Sequence, residues 1–237
     1  MVIDGHAHSC GEYLTVGSVI NKLDENSTDA VILCPGEMNK DKGYELPSLH
    51  LKFPNKDFIY VINNIIKVAV TLTGAANYID EGNEYVFNLV KQAPDRIFQF
   101  LWVNPNDKNV VKKIEDKYVL WNFKGLKIHQ CWNKCNLRNE SMELIIKWAE
   151  KKELPVFIHI ASKKDAIDLV QVINQHQDAR FIIGHMIGME IFSQAGLQNK
   201  NVYFDMSAEQ LIPQKKLLAA LEKFGATDAK YVYLFLA

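Results

Sequence analysis

The sequence predicts a single α/β domain over residues 1–237, a (β/α)8 TIM barrel with an insertion after strand 2 and a C-terminal end lacking the last helix. Two observations carry that expectation. Short β-branched or aromatic runs recur along the chain, and a stretch with helical spacing follows each of them, the alternation that builds a parallel sheet. Composition agrees: 237 residues, 48% apolar and 23% charged, describe a globular chain rather than a collagen-like, coiled-coil or disordered one.

Eight strands are expected, over Val2–His6, Ala30–Cys34, Ile97–Val103, Lys124–His129, Val156–Ile160, Arg180–His185, Val202–Asp205 and Tyr231–Leu236. Strands covered on both faces read as unbroken apolar runs, as Ala30-Val31-Ile32-Leu33-Cys34 and Phe181-Ile182-Ile183 do. Ser141–Lys152 and Gln210–Phe224 each carry one apolar stripe and one charged face, the pattern of helices on a barrel's outside. Pro155 stops the first of these before the next strand begins. Between the second and third strands the chain spends about sixty residues, roughly 35–93, where a short loop and one helix suffice. The run Ile59–Leu72 is more apolar than one surface helix needs, so the insertion is expected to supply a lid or a contact between copies. The sequence ends at Ala237 inside the eighth strand, which leaves the seam between last and first strands uncovered and also points to a homo-oligomer.

Charge narrows the function. With 27 Lys and Arg against 28 Asp and Glu, the chain has no stretch basic enough to follow a nucleic-acid backbone or an anionic membrane surface. Apolar windows such as Phe58–Leu72 are too short to span a bilayer, and Met1-Val2-Ile3-Asp4 lacks the features of a signal peptide. A cytoplasmic protein acting on a small molecule is the expectation. Four scattered cysteines fit a reducing compartment. The Cys131 to Cys135 spacing admits zinc, but no second pair stands at finger spacing, and two plain thiols near a loop is the simpler reading.

Barrel active sites form at the C-terminal ends of the strands. Five of the seven histidines fall there: His6, His8, His129, His159 and His185. Alternate strand residues share a face, so His6 and His8 start close enough to grip one ion, and neutral imidazole suits zinc and similar divalent metals. Asp4 either orients one of those rings or caps local backbone donors. His159 arrives from across the barrel as a third ligand, and three protein ligands with an open position define a catalytic site.

These stretches resemble the amidohydrolase superfamily, in particular its amidohydrolase-related branch with aminocarboxymuconate-semialdehyde decarboxylase-like proteins. The matching segments are Ile3-Asp4-Gly5-His6-Ala7-His8, Gly125-Leu126-Lys127-Ile128-His129, Val156-Phe157-Ile158-His159, Ile183-Gly184-His185-Met186-Ile187-Gly188 and Asn201-Val202-Tyr203-Phe204-Asp205. The resemblance implies a barrel with one divalent ion, zinc by preference, held by His6, His8 and His159, with His185 as acid or base toward water at the ion. It also implies that His129 either contacts substrate or packs, and that a carboxylated Lys127 could bridge two ions, a variant set aside because the matched branch generally uses one. The family's eighth strand usually ends in Gly-Ser-Asp or Gly-Thr-Asp, whereas this chain reads Tyr233-Leu234-Phe235-Leu236-Ala237. Asp205 is the acid left to substitute, although it also reads as a turn residue after strand seven. A truncated sequence, a degenerate barrel and the α-carboxylate of Ala237 are the other readings of this mismatch, which predicts reduced or absent turnover with metal binding largely kept. Glu37, over the barrel mouth, meets a substrate amine or is an exposed loop residue, and Trp132 can stack on a flat substrate.

The expected function is therefore metal-dependent hydrolysis of C–N, C–O or lactone bonds in a small metabolite, with decarboxylation as a nearby variant. The competing readings are a catalytically impaired metal-binding barrel and a histidinol-phosphatase-like phosphoesterase, whose proteins also open on a His-x-His strand.

Overall fold

Each of the eight apolar runs forms a parallel strand, and the strands pair in chain order through one sheet: β1 (Ile3–His8), β2 (Ala30–Cys34), β3 (Ile97–Trp102), β4 (Gly125–His129), β5 (Pro155–His159), β6 (Arg180–Ile183), β7 (Val202–Asp205) and β8 (Val232–Tyr233). The computed structural model describes residues 1–36, 48–195, 197, 201–208, 211–213, 215–216, 218 and 232–233. Its architecture is the (β/α)8 type that the alternation of runs predicts. Among the described residues no ladder joins β8 to β1. Glu37, Ala237 and most of the helix expected over 210–224 lie outside the described residues.

Helices α1 (Val16–Glu25), α2 (Leu49–Lys52), α3 (Ile59–Thr73), α4 (Ile79–Gln92), α5 (Val110–Trp121), α6 (Glu140–Lys151), α7 (Lys163–Gln175) and α8 (Met189–Gln194) occupy the connections. Side-chain caps start several of them. The Thr15 and Ser18 side chains and backbones satisfy each other at the head of α1, while Asn139 and Ser162 accept from backbone N–H groups at the heads of α6 and α7. Pro155 opens β5, where its missing N–H costs the ladder least. Two strand ends depart from expectation: β1 runs on to His8, and β6 stops at Ile183 rather than running to His185. A 3-10 turn over Gly184–Met186 follows, with His185 at φ +54°, so this histidine projects from a tight turn and not from the strand.

The outer core lies between sheet and helices, where Leu126, Ile128, Val156 and Ile158 meet Ile145, Ile146, Leu169 and Ile173. Inside the barrel, Phe100, Phe157 and Cys34 pack together with Ile32 and Ile182. Gly125 makes room for them: a Cβ there would lie 2.6 Å from the Phe100 ring. Phe157 is the floor of the site, 4.3 Å from the His6 ring by centroids and 3.8 Å beneath Lys127 Nζ.

The insertion docks through two fully buried asparagines. Asn83 of α4 donates to Trp102 O and accepts from Trp102 N, both at 2.8 Å, which fixes the end of β3. Asn63 of α3 donates to the carbonyls of Ile160 and Ala161 at 3.0 and 3.2 Å, just past β5. Alongside Asn63, α3 buries Ile59 and Val70. Val61, Ile65, Val68 and Leu72 remain exposed on its other face, which accounts for the excess apolar character of this run. Among the described residues no single helix is long and apolar enough to cross a membrane.

Replacing Gly125 by alanine should cost about 1–3 kcal/mol, because the Phe100 ring must leave its rotamer or the strand must shift. Urea denaturation measures this, and an unchanged midpoint would mean that the interior yields without strain.

Candidate metal centre

The five strand-end histidines converge at one mouth of the barrel. Ring centroids separate His8 from His6 by 5.0 Å, His6 from His185 by 5.6 Å, His185 from His159 by 4.9 Å and His159 from His129 by 3.8 Å. His185 thus lies between the pair on β1 and the pair on β4 and β5. The register sets His129 directly beside His159, so their rings stack nearly parallel, at 11°. Trp102 stacks on the other side of His129 at 5.3 Å, and half-buried Trp132 lies 4.9 Å from Trp102.

Hydrogen bonds assign the nitrogens of each ring. His8 Nδ1 lies 2.7 Å from Pro35 O, an oxygen that can only accept, so Nδ1 carries the proton and Nε2 keeps its lone pair. His185 Nδ1 lies 2.9 Å from Ser207 O, with the same result. The Ser207 hydroxyl donates to Asp205 Oδ2 at 2.6 Å and can therefore accept from His6 Nδ1 at 3.0 Å; Asp205 Oδ2 also accepts from that nitrogen, at 3.3 Å. His6 Nε2 is then the nitrogen without a proton. Asn63 points its NH2 group at two carbonyls and its Oδ1 at His159 Nε2, 2.8 Å away, so His159 keeps its lone pair on Nδ1. His129 has the opposite polarity: Nδ1 accepts the Cys131 N–H at 3.2 Å, which leaves Nε2–H as a donor.

Burial keeps the rings neutral. It pushes His6 down to about 4, and His8, His129, His159 and His185 fall below the ordinary imidazole value for the same reason first, with the Lys127 ammonium adding to the effect. Asp205 is fully buried as well. Burial alone would raise its pKa, but the His6 and His185 rings and the Ser207 hydroxyl outweigh that and hold it below the usual carboxylate range. Its Oδ2 also accepts the His185 N–H at 3.2 Å and its Oδ1 the Ser207 N–H at 3.0 Å. Asp205 is thus a fully engaged anion that also closes the turn after β7 through the Ser207 N–H.

His6, His8, His159 and His185 each have one nitrogen occupied and the other unprotonated, the donor chemistry a divalent cation takes, although the expected trio of His6, His8 and His159 is not among the groups of described residues whose donor atoms lie within 4.8 Å of one another. Among the described residues, His6, His185 and Asp205 bring their donor atoms within 4.8 Å of one another, and so do His129, Cys131 and His159. The second trio is the poorer set, because the Cys131 N–H already occupies His129 Nδ1 and burial pushes the Cys131 thiol up to about 12. Cys135 is likewise pushed up to about 12, which supports reading this pair as plain thiols. One group competes with a metal: fully buried Lys127 places Nζ 2.6 Å from His6 Nε2, where the ammonium donates to that lone pair. Burial lowers Lys127 to about 8.

The β1 ladder slips between Asp4 and Ala7, so the alternation expected to align Asp4 behind His6 is broken. Asp4 instead accepts from the Tyr13 hydroxyl at 2.9 Å and from the His6 N–H at 3.3 Å, which makes it a local cap. Sequence reasoning missed Asn63, Ser207 and Trp102. Asn63 had a usable signal, a polar residue on the inward face of an apolar helical run; the other two offered none.

Lys127 gives the metal-free protein a defined pH response. Its folded value near 8 lies below the unfolded value of about 10.4, so between those limits the unfolded chain binds more protons and stability should rise with pH, by roughly 3 kcal/mol in all. Below pH 8 the full cost of the buried ammonium applies. Denaturation midpoints across pH 7.5–10 measure the slope, and Lys127→Met should flatten it. A slope that persists in that variant would belong to another group.

Comparison with known proteins places the chain in a family. The amidohydrolase family profile matches residues 67–230, well over half of the chain. No curated protein matches the sequence. Among solved structures, a probable 2-pyrone-4,6-dicarboxylic acid hydrolase from Acinetobacter baumannii with citric acid bound superposes with a TM-score of 0.63 at 16% identity, covering 98% of this chain and 81% of that one. A 4-oxalomesaconate hydratase from Rhodopseudomonas palustris gives 0.61 at 13% identity, over 98% and 80% of the two chains. A 5-carboxyvanillate decarboxylase from Novosphingobium aromaticivorans with bound manganese gives 0.56 at 12%, over 98% and 85%. At these identities the superpositions establish a common fold, and together with the family profile they show that the chain belongs to the amidohydrolase family.

Proposed function

We propose that this chain is a metal-dependent hydrolase of a small, planar, carboxylate-bearing metabolite, acting on a C–N, C–O or lactone bond, with decarboxylation as the neighbouring chemistry of the same site. The observation that carries the reading is the nitrogen pattern, in which His6 Nε2, His8 Nε2, His159 Nδ1 and His185 Nε2 all keep their lone pairs. His6, His8 and His159 would hold one divalent ion, with zinc the expected metal. Such an ion supplies Lewis acidity toward a carbonyl oxygen and lowers the pKa of water from 15.7 to about 7.

The chain's own residues supply the remaining steps. His185 takes a proton at Nε2 from the attacking water and returns it to the leaving group, while Ser207 O holds its Nδ1–H and so fixes the ring. Asp205 stabilises the imidazolium that forms, since its Oδ2 lies 3.5 Å from His185 Nδ1. His129 offers Nε2–H to a substrate oxygen, and Trp102 and Trp132 present flat faces beside it. A buried ammonium and a ring N–H at one mouth favour a carboxylate, and two of the structural relatives are named for carboxylic acids.

Elemental analysis of purified protein beside His6→Ala tests the centre: one bound ion, lost in the variant, is expected, whereas equal content in both removes the ligand assignment. With the ion loaded, a panel of lactones, amides and aromatic carboxylic acids should yield turnover that His185→Gln lowers by about 10²–10⁴-fold with the ion retained. Turnover unaffected by that change would overturn the role given to His185.

A further inference from the structure

The nitrogen that His159 can offer is decided outside the barrel. His159 ends β5, and an imidazole at that position can carry its proton on either nitrogen. Asn63, on α3 of the insertion and 96 residues away in sequence, removes the choice. Its amide is fully buried and has three partners: Nδ2 serves the Ile160 and Ala161 carbonyls, and Oδ1 faces His159 Nε2. Turning the amide over would set its oxygen against two carbonyl oxygens and its NH2 against the ring nitrogen, so one orientation is enforced. The same three bonds join α3 to the segment that follows β5, so docking of the helix and the state of the ring are a single event.

We infer that Asn63 is a positioning residue of the metal centre: by accepting the Nε2–H of His159 while bound to the backbone beyond β5, it keeps the Nδ1 lone pair available to the ion and makes ion affinity depend on the docking of α3. This rests on reading His159 as an ion ligand. As a neutral amide, Asn63 fixes the proton's position without adding charge to a mouth that already holds the Asp205 carboxylate. By reciprocity, loading the ion tightens α3 against the barrel.

The test uses metal-free protein labelled with 15N-histidine, followed by zinc titration calorimetry. In the wild type, His159 should show a protonated Nε2 and an unprotonated Nδ1. Asn63→Leu should mix the two forms and weaken zinc binding about 10–100-fold. Asn63→Asp keeps an acceptor toward His159 but loses both backbone bonds, so it should keep the Nε2–H form and lose less zinc affinity than the leucine variant even though its Tm falls. A structural role alone would make affinity follow Tm in both variants. The proposal is overturned if the wild type carries its proton on Nδ1, if a folded Asn63→Leu keeps wild-type tautomer and affinity, or if Asn63→Asp loses affinity as the leucine variant does. Should Asn63→Leu fail to fold, the wild-type spectrum and the aspartate variant still decide. The tautomer is read without metal, so ion content unchanged in His6→Ala would remove the metal reading while leaving the Asn63 hold on His159 intact.

Discussion

A barrel mouth that gathers five imidazoles and a lysine in near-complete burial needs an anion to organise it, and among the described residues of that mouth the carboxylate of Asp205 fills this place. It stands at the end of β7 yet reaches His6 on β1, 199 positions earlier, as well as the backbone after β6 and the Ser207 hydroxyl. Because β1 and β7 lie near opposite ends of the strand order, this group ties the first strand to the last part of the sheet from inside the barrel. A charge so deep is tolerated only when its oxygens are saturated with donors, and here they are. The positions of His6 and His185 follow from that requirement.

The same logic runs through the other rings. A carbonyl of the β2 loop holds His8, a carbonyl beyond β7 holds His185, and a helix of the insertion holds His159. Each is set by an oxygen that cannot donate or an amide that cannot turn, so the pattern of lone pairs belongs to the backbone fold more than to the histidines. His129, held by a donor in place of an acceptor, is the exception: its lone pair is taken by the Cys131 N–H and its other nitrogen is left as a donor. Lys127, poised at His6 with no hydrogen-bonded acid among the described residues, is the cation already present where a metal would add a second.

Much of this was legible in the sequence, for physical reasons that differ from residue to residue. Parallel strands covered on both faces leave unbroken apolar runs, so β2, β5 and β7 could be located within a residue or two. Histidines at strand ends stand out because a barrel collects those ends at one face. His185 was read as a strand residue because a left-handed turn at a non-glycine position leaves no compositional mark. Asp205 was ambiguous because an acid that closes a strand and an acid that starts a turn look alike until the partner across the barrel is known. Asn83 was hidden for the same reason, and Asn63 showed only as a polar residue in an apolar helical run: the backbone partners of both lie far along the chain, and sequence spacing carries no trace of them. The bulge in β1 is equally invisible to an alternation rule that assumes an unbroken pleat, which is why Asp4 turned toward Tyr13.

The stacked column of Trp102, His129 and His159 also makes the molecule observable. An indole lying at 5° to an imidazole, 5.3 Å between centroids, is quenched by that ring to a degree that changes when the ring gains a proton or meets a ligand. With Trp132 beside it and the remaining tryptophans, Trp121 and Trp148, on the outer helices, fluorescence emission from this column reports on the mouth of the barrel without any added label.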